Sequence, residues 1–482
     1  MPPSRRYQPD PMFAALGPDF ADPVAPARFP QHQLRWRNQA WAAAIGLDGL
    51  SEAEWLEHMA RFAPLPGNMP SPLAMRYHGH QFRTYNPNLG DGRGFLYAQL
   101  RDDAGRLLDL GAKGSGQTPY SRRGDGRLTL KGGVREVLAA GMLEALGVYT
   151  SKAFSLVETG EALVRGDEPS PTRSSVLVRL SHSHIRFGTF QRLAYLEQPE
   201  LMRTLIRHCV EAYYPVHAAL EGEAQAAALF GEIVQASGRL AASWMAAGFV
   251  HGVLNTDNLN VTGESFDYGP WRFLPTLDPG FTAAYFDETG LYAYGRQPEA
   301  VSWALAQLGA ALTQVCPAPL LEAELKRFVP AFQRTLRDRV FARLHLDETD
   351  LNADLVFVQA LFDWLSASQA PWDQFFHDWA GGEASAARAD GSPNAAFYAR
   401  EDFAAIRDGL AQRTKSSAAE FLAHPYWAQA RPASLVIDEV EALWAPIAER
   451  DDWAPFESKL AEIDNMKQAL GMACHNPVAQ GG

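Results

Sequence analysis

The chain has 482 residues, 47% of them hydrophobic and 21% charged, ordinary globular usage that excludes a disordered, collagen-like or coiled-coil protein and fits two or three domains or one large bilobal unit. Lys and Arg number 43 against 56 Asp and Glu, a formal net charge of −13, so nucleic acid and anionic membrane are repelled overall and any anionic ligand needs a local cluster of cations. Cys209, Cys316 and Cys474 lie far apart with no Cys-x-x-Cys spacing, which argues against a disulfide scaffold or a thiolate zinc site and for a reducing compartment.

The N-terminus has prolines and aspartates where a signal peptide would be apolar, and the most apolar later stretches, 243–254 and 301–315, are too short or too interrupted to span a bilayer. A cytoplasmic protein without nucleic-acid or membrane partners is expected. Residues 1–74 read as an irregular N-terminal arm with a short helix near 51–62. From 75 to 195, glycine-rich turns separate strand-like runs at 94–101, 107–113, 153–158 and 175–181, the pattern of a small lobe built on a sheet. One helix interrupts it, because Val134, Leu138, Met142 and Leu146 recur at three- to four-residue spacing before Gly147. From 196 to 430 the pattern is mainly helical, with amphipathic stretches at 200–219, 223–247, 301–312 and 319–344. Residues 248–282, dense in Asn, Asp and Gly, break that pattern as loop and short strand, and such segments on a helical scaffold are where sites sit. Residues 380–396 read as a loop or linker and 431–482 as a C-terminal tail. The fold class expected is α+β, bilobal, with a mixed small lobe and a mainly helical large lobe.

The segment His251-Gly-Val-Leu-Asn-Thr-Asp-Asn258 has the spacing of a kinase catalytic loop, in which an Asn seven residues after the His binds metal, and Asp267-Tyr-Gly269 follows where the second metal ligand would stand. A carboxylate and a carboxamide on two nearby turns supply the hard oxygens that Mg²⁺ bound to triphosphate requires, so Asn258 and Asp267 are the candidate metal ligands. The bland alternative is a pair of Asx turns. A kinase carries its catalytic Asp two residues after the His; here that position is Val253. Asp257 is the candidate displaced base, with a turn-forming Asp as its alternative.

In the small lobe Lys113 ends the run LLDLGAK and Glu136 lies 23 residues on in the next helix, matching the strand Lys and helix Glu that kinases pair to position a phosphate-binding amine. Gly90-Asp-Gly-Arg-Gly94 and GSGQTPYSRRGDGR (114–127) flank Lys113; their glycines admit phosphate to the backbone, and Arg93, Arg122, Arg123 and Arg127 add charge. Arg179 and Arg186 can converge on one anion from a strand and its exit. Lys113, Arg179 and Arg186 are more cations than a kinase needs for a terminal phosphate. With no base at the kinase position, this suggests a nucleotide held the other way round, its β- and γ-phosphates buried and its α-phosphate facing the acceptor. A kinase with a relocated base and a non-catalytic nucleotide-binding scaffold remain the rival readings.

These stretches, with YHGHQF (77–82), NLGDGR (88–93), VREVL (134–138), HIRFGTF (184–190), DYGP (267–270) and LDPGF (277–281), resemble the selenoprotein O family of protein adenylyltransferases in consistent order over about 75–285. The resemblance implies a protein-kinase-like fold that binds ATP inverted and transfers AMP to Ser, Thr or Tyr hydroxyls of proteins. For some relatives it implies UTP with manganese. It implies nucleotide contacts from Gly90, Gly92, Arg93, Lys113, Asp125, Gly126, Arg179, Arg186 and Asp267, proton acceptance by Asp257, Mg²⁺ or Mn²⁺ on Asn258 and Asp267, and a structural ion pair through Glu136. Where relatives end in a Cys-x-x-Sec or Cys-x-x-Cys pair, Cys474 stands alone before His475, so disulfide regulation of that kind is not expected.

Overall fold

The runs at 94–101 and 107–113 are buried along nearly their whole length, which a sheet sustains only when both of its faces are covered. The computed structural model describes residues 6–166 and 168–472; Cys474 lies outside the described residues. The chain forms β1 (Ala21–Pro23), β2 (Gln33–Arg37), α1 (Gln39–Ala44), α2 (Glu52–Met59) and β3 (Leu73–Met75), then a separate hairpin of β4 (Gly79–Gln81) and β5 (Thr84–Asn86). It continues through β6 (Gly94–Arg101), β7 (Leu107–Lys113), β8 (Leu128–Thr129), α3 (Leu130–Ala145), β9 (Lys152–Leu163) and β10 (Thr172–Ser181). Apart from the hairpin, these strands make one antiparallel sheet in the order β1-β3-β6-β7-β10-β9-β2, with β8 also on β10.

The two-residue period of the strands divides the core. Phe95, Tyr97, Leu108, Leu110, Phe154, Val176, Val178 and Leu180 share one cluster with Ala42, Ile45, Trp55, Met59, Phe62 and Leu65. Alternate positions Leu96, Leu107, Leu156 and Leu177 pack with Val134, Val137 and Leu138 of α3. The N-terminal residues are therefore not the irregular arm expected: they add β1, β2 and the start of β3 to the sheet and cover its outer face. Only α2 was legible there, where Ser51 and Glu54 form a capping box.

The helical region comprises α4 (Phe187–Tyr195), α5 (Pro199–Tyr213), α6 (Gly222–Ala247), the short strands β11 (Phe249–Val250) and β12 (Arg272–Phe273), α7 (Gln297–Leu312), α8 (Ala318–Leu325), α9 (Phe328–Leu344), α10 (Leu351–Ser368) and α11 (Trp372–Asp378). The stretch 200–219 stops being α-helical at Tyr213, because Pro215 disfavours helical ψ at Tyr214. The stretch 319–344 divides in two. Pro330 cannot continue a helix that needs its N–H, but it fits the first turn of a new one starting at Phe328. Residues 380–396 are not a plain linker either, since they hold a 3₁₀ turn (Gly382–Ser385), α12 (Ala386–Asp390) and the start of α13 (Ala395–Tyr398). Helices α14 (Ala404–Gln412) and α15 (Ala418–Phe421) follow. No helix of the described residues is long and apolar enough to cross a membrane.

The C-terminal segment forms α16 (Ile437–Arg450) and α17 (Ala454–Leu470), tied to α3 by Lys131–Glu441 at 2.7 Å and Lys467–Glu144 at 3.3 Å. Asp451, just after α16, joins Arg35 of β2 at 3.0 Å and Arg173 of β10 at 2.7 Å, and both arginines also hold Glu158 of β9. Partial burial works upward on the Asp451 carboxyl, but Arg173, the Trp453 indole N–H and Arg35 bring it down to about 2. A carboxylate lowered by folding stabilises above its unfolded pKa near 4 and loses that contribution as pH falls from there towards 2. Asp451→Asn is expected to lower Tm at pH 7, with the gap to the parent shrinking steadily below pH 4 and narrowing in high salt. Thermal melts across pH 2.5–7 check this.

Candidate active site

Lys113 ends β7 on the sheet face that carries α3, and Arg179 lies on the same face of β10, opposite Gly111. Both reach Glu136 of α3 and Asp267 of the β11–β12 connection. Lys113 Nζ pairs with Glu136 Oε1 and donates to Asp267 Oδ1 at 2.6 Å. Arg179 Nη1 is 3.3 Å from Asp267 Oδ1 and 3.9 Å from Glu136 Oε2. Arg186, at the start of α4, donates from Nη1 to the Asp257 carbonyl at 2.7 Å and from Nη2 to Asp91 Oδ1 at 3.2 Å; Nη1 is also 3.9 Å from Asp267 Oδ2. Its guanidinium lies over the rings of Tyr77 and Phe266 at 4.5 and 4.9 Å.

Strands β11 and β12 pair at Phe249↔Phe273 and Val250↔Arg272, closing a loop that carries the remaining chemistry. Burial lowers the pKa of His251, so the neutral ring can donate from Nε2 to the Phe266 carbonyl at 2.9 Å, tying the two turns together. Asn258 donates from Nδ2 to the Val253 carbonyl at 2.9 Å, which makes Oδ1 the atom it can offer a metal. Asp267 has φ +64°, a left-handed conformation that Asp tolerates better than most residues. Burial works upward on its carboxyl, yet Lys113, Arg179, Arg186 and Arg93 together hold it well below the usual range. Asp257 is buried with no hydrogen-bond partner for Oδ1. Burial pushes its carboxyl up to about 6, against the pull of Arg186 and with a further push from Asp267.

Among the described residues no group of three or more His, Cys, Asp or Glu could hold a metal. One carboxylate and one carboxamide suit Mg²⁺ or Mn²⁺ only when phosphate oxygens and water complete the shell, the usual mode for nucleotide-bound Mg²⁺. The donor set therefore fits an ion that arrives with a triphosphate.

Lys113, Arg179, Arg186, Asp257 and Asp267 line one cavity of about 650 Å³, shared with Gly90, Gly92, Arg93, Asp125 and Gly126, while Glu136 reaches it through its pair with Lys113 and Asn258 is not part of its lining. Eight cationic side chains face it against four carboxylates, so a chain of net charge −13 has an anion-seeking pocket. Its glycines also serve packing: a Cβ at Gly90 would fall 2.3 Å from the Tyr120 ring, and one at Gly126, with φ +70°, 2.2 Å from the Gly116 carbonyl carbon. Arg127 is less available than its sequence position suggests, because Glu161 holds it at 2.8 and 2.9 Å. Exposed Asp125 pairs with Arg165 at 2.8 Å and sits at the rim. Sequence reasoning gave no role to Asp91, Tyr77 or Phe266. The first two lie inside quoted motifs, but their partner Arg186 is about a hundred residues away and no local spacing reports the contact.

The family model described as Protein adenylyltransferase SelO matches residues 4–464. A Protein nucleotidyltransferase YdiU of Gloeobacter violaceus is 46% identical over 467 residues, covering 94% of each chain. The protein of that name from Synechococcus elongatus is 45% identical over 468 residues, again 94% of each. That of Pseudomonas putida is 38% identical over 372 residues, 76% of this chain and 74% of its own. The chain is thus a nucleotidyltransferase. The chain belongs to the SelO family.

Proposed function

We propose that the protein transfers AMP from ATP to Ser, Thr or Tyr hydroxyls of other proteins, with UTP as a second donor, inside a protein-kinase-like bilobal fold. The nucleotide-binding small lobe is 75–195, the helical large lobe 196–430, and the catalytic and metal loop 248–282. Lys113, Arg179 and Arg186 bind the β- and γ-phosphates, with Gly90, Gly92, Arg93, Asp125 and Gly126 along the nucleotide and Glu136 holding Lys113 and Arg179 in place. Asn258 and Asp267 would hold Mg²⁺ or Mn²⁺, which when bound neutralises charge on the phosphates. Asp257 accepts the proton of the attacking hydroxyl as its oxygen bonds to the α-phosphorus; the α–β bridging bond breaks and pyrophosphate leaves.

One observation carries this reading: three cations converge on Asp267 next to a buried carboxylate at Asp257 whose Oδ1 has no hydrogen-bond partner, while Val253 occupies the position of a kinase base. A cluster of that strength suits the β- and γ-phosphates, the more highly charged end of a triphosphate, and leaves the α-phosphate nearest the base. Nothing in this arrangement calls for nucleic acid or a membrane surface. Asp257→Asn, close in shape, is expected to slow transfer about 10²–10⁴-fold, the usual worth of a positioned general base, while the Kd for ATP stays within about twofold. Transfer at the parent rate in that variant would remove Asp257 as the base.

A further inference from the structure

Three aromatic side chains stand exposed together beside the loop that carries Asp257. Phe82, Tyr285 and Phe286 are 36%, 84% and 47% exposed, with ring centroids 5.9 Å apart for Phe82–Phe286 and 5.2 Å for Tyr285–Phe286. A contiguous exposed apolar patch of this kind marks an interaction surface far more often than single exposed rings do.

The ledge is anchored. Phe82 and Arg83, at the tip of the β4–β5 hairpin, both take left-handed φ values of 49° and 63°, an unfavourable conformation for bulky residues that persists where the surroundings enforce it. Here the surroundings are the catalytic loop. Phe82 N–H donates to Asn255 Oδ1 at 3.1 Å, Tyr292 Oη donates to the same oxygen at 2.9 Å, and His80 N–H donates to Thr256 Oγ1 at 2.7 Å. The Asp287 carboxylate accepts from the N–H groups of Leu291 and Tyr292, each at 2.8 Å, fixing the segment that presents Tyr285 and Phe286. Gln81, next to Phe82, lines the same cavity as Asp257, and a Cβ at Gly79 would lie 3.3 Å from Asp257 Oδ1.

We propose that this ledge docks the acceptor polypeptide, seating an aromatic or large aliphatic side chain within a few residues of the hydroxyl that is modified; this rests on the function proposed above. An acceptor that brings its hydroxyl to Asp257 must lay its flanking residues over surfaces continuous with the catalytic loop, and the ledge is such a surface. Arg83, the cation next to Phe82, is engaged by Glu299 at 2.9 Å, so the surface offers apolar faces rather than a free cation for an acidic segment.

The test uses two fluorescent serine peptides, one with Phe and one with Ala at the positions two and three residues from the serine. Their binding to the full chain is followed by anisotropy with Mg²⁺ and a non-hydrolysable ATP analogue. The Phe peptide is expected to bind at least about tenfold more tightly, and the exposed pair Tyr285→Ala with Phe286→Ala is expected to erase that preference without changing analogue affinity. Equal binding of both peptides by the parent chain, or a preference that survives in the double variant, overturns the proposal. The same peptides are then incubated with α-labelled ATP: a Phe preference without any label transfer overturns the transfer reading and supports the ledge as a peptide surface.

Discussion

Asp267→Asn is expected to reduce nucleotide transfer on the order of 10³-fold or more, the scale on which a preorganised charge acts in a closed site. The substitution keeps the side chain's size and removes its charge, and that charge has two roles. It is the only carboxylate of the two candidate metal ligands, and without it Asn258 is left beside a second carboxamide, a poor site for a hard divalent ion. It is also the point where Lys113 and Arg179 meet, so both cations would be left with Glu136 alone. Single-turnover transfer from α-labelled ATP, run beside ATP-binding measurements, checks the result. A rate within tenfold of the parent would mean that the metal and phosphate end of the site lies elsewhere.

Glu136→Ala is expected to cause a large loss of stability. The carboxylate is 2% exposed, and it pairs with Lys113 and lies 3.9 Å from Arg179, side chains that are themselves 5% and 7% exposed. Removing one partner from a buried ionic cluster leaves its cations short of compensating charge, at a cost of roughly 3–5 kcal/mol. For a chain of this size that is a Tm lowered by several degrees, read by calorimetry. ATP is expected to raise the Tm of this variant by more than that of the parent, because its phosphates bring negative charge to the same two cations. A Tm unchanged in the variant would show that Asp267 alone balances Lys113 and Arg179.

What was legible in the sequence was local. The strands at 94–101 and 107–113 and the helix around Val134–Leu138 follow from short-range periodicity and glycine punctuation, and the structure has them as β6, β7 and α3. Lys113, Arg179, Arg186, Asp257 and Asp267, singled out from their motifs, meet around one cavity; Glu136 pairs with Lys113 in its wall, and Asn258 follows Asp257 directly in the chain. What was not legible depends on pairing across distance. β1 has three residues and β2 reads QLRWR, too short and too polar to announce strands; they exist because β3 and β9 offer them an edge. The stacked rings of Tyr77 and Phe266 on Arg186, the Asp91–Arg186 pair and the docking of α16 and α17 on α3 likewise come from tertiary contacts that no window of sequence contains.

The most direct test of the proposed chemistry compares α-labelled with γ-labelled ATP, each incubated with the purified chain, Mg²⁺ or Mn²⁺ and a lysate, following label into protein. Label from the α-position alone, lost in Asp267→Asn, is the result that nucleotide inversion requires. Label from the γ-position alone would make the protein a kinase with a relocated base and contradict the inverted nucleotide, and label from neither would leave a nucleotide-binding scaffold.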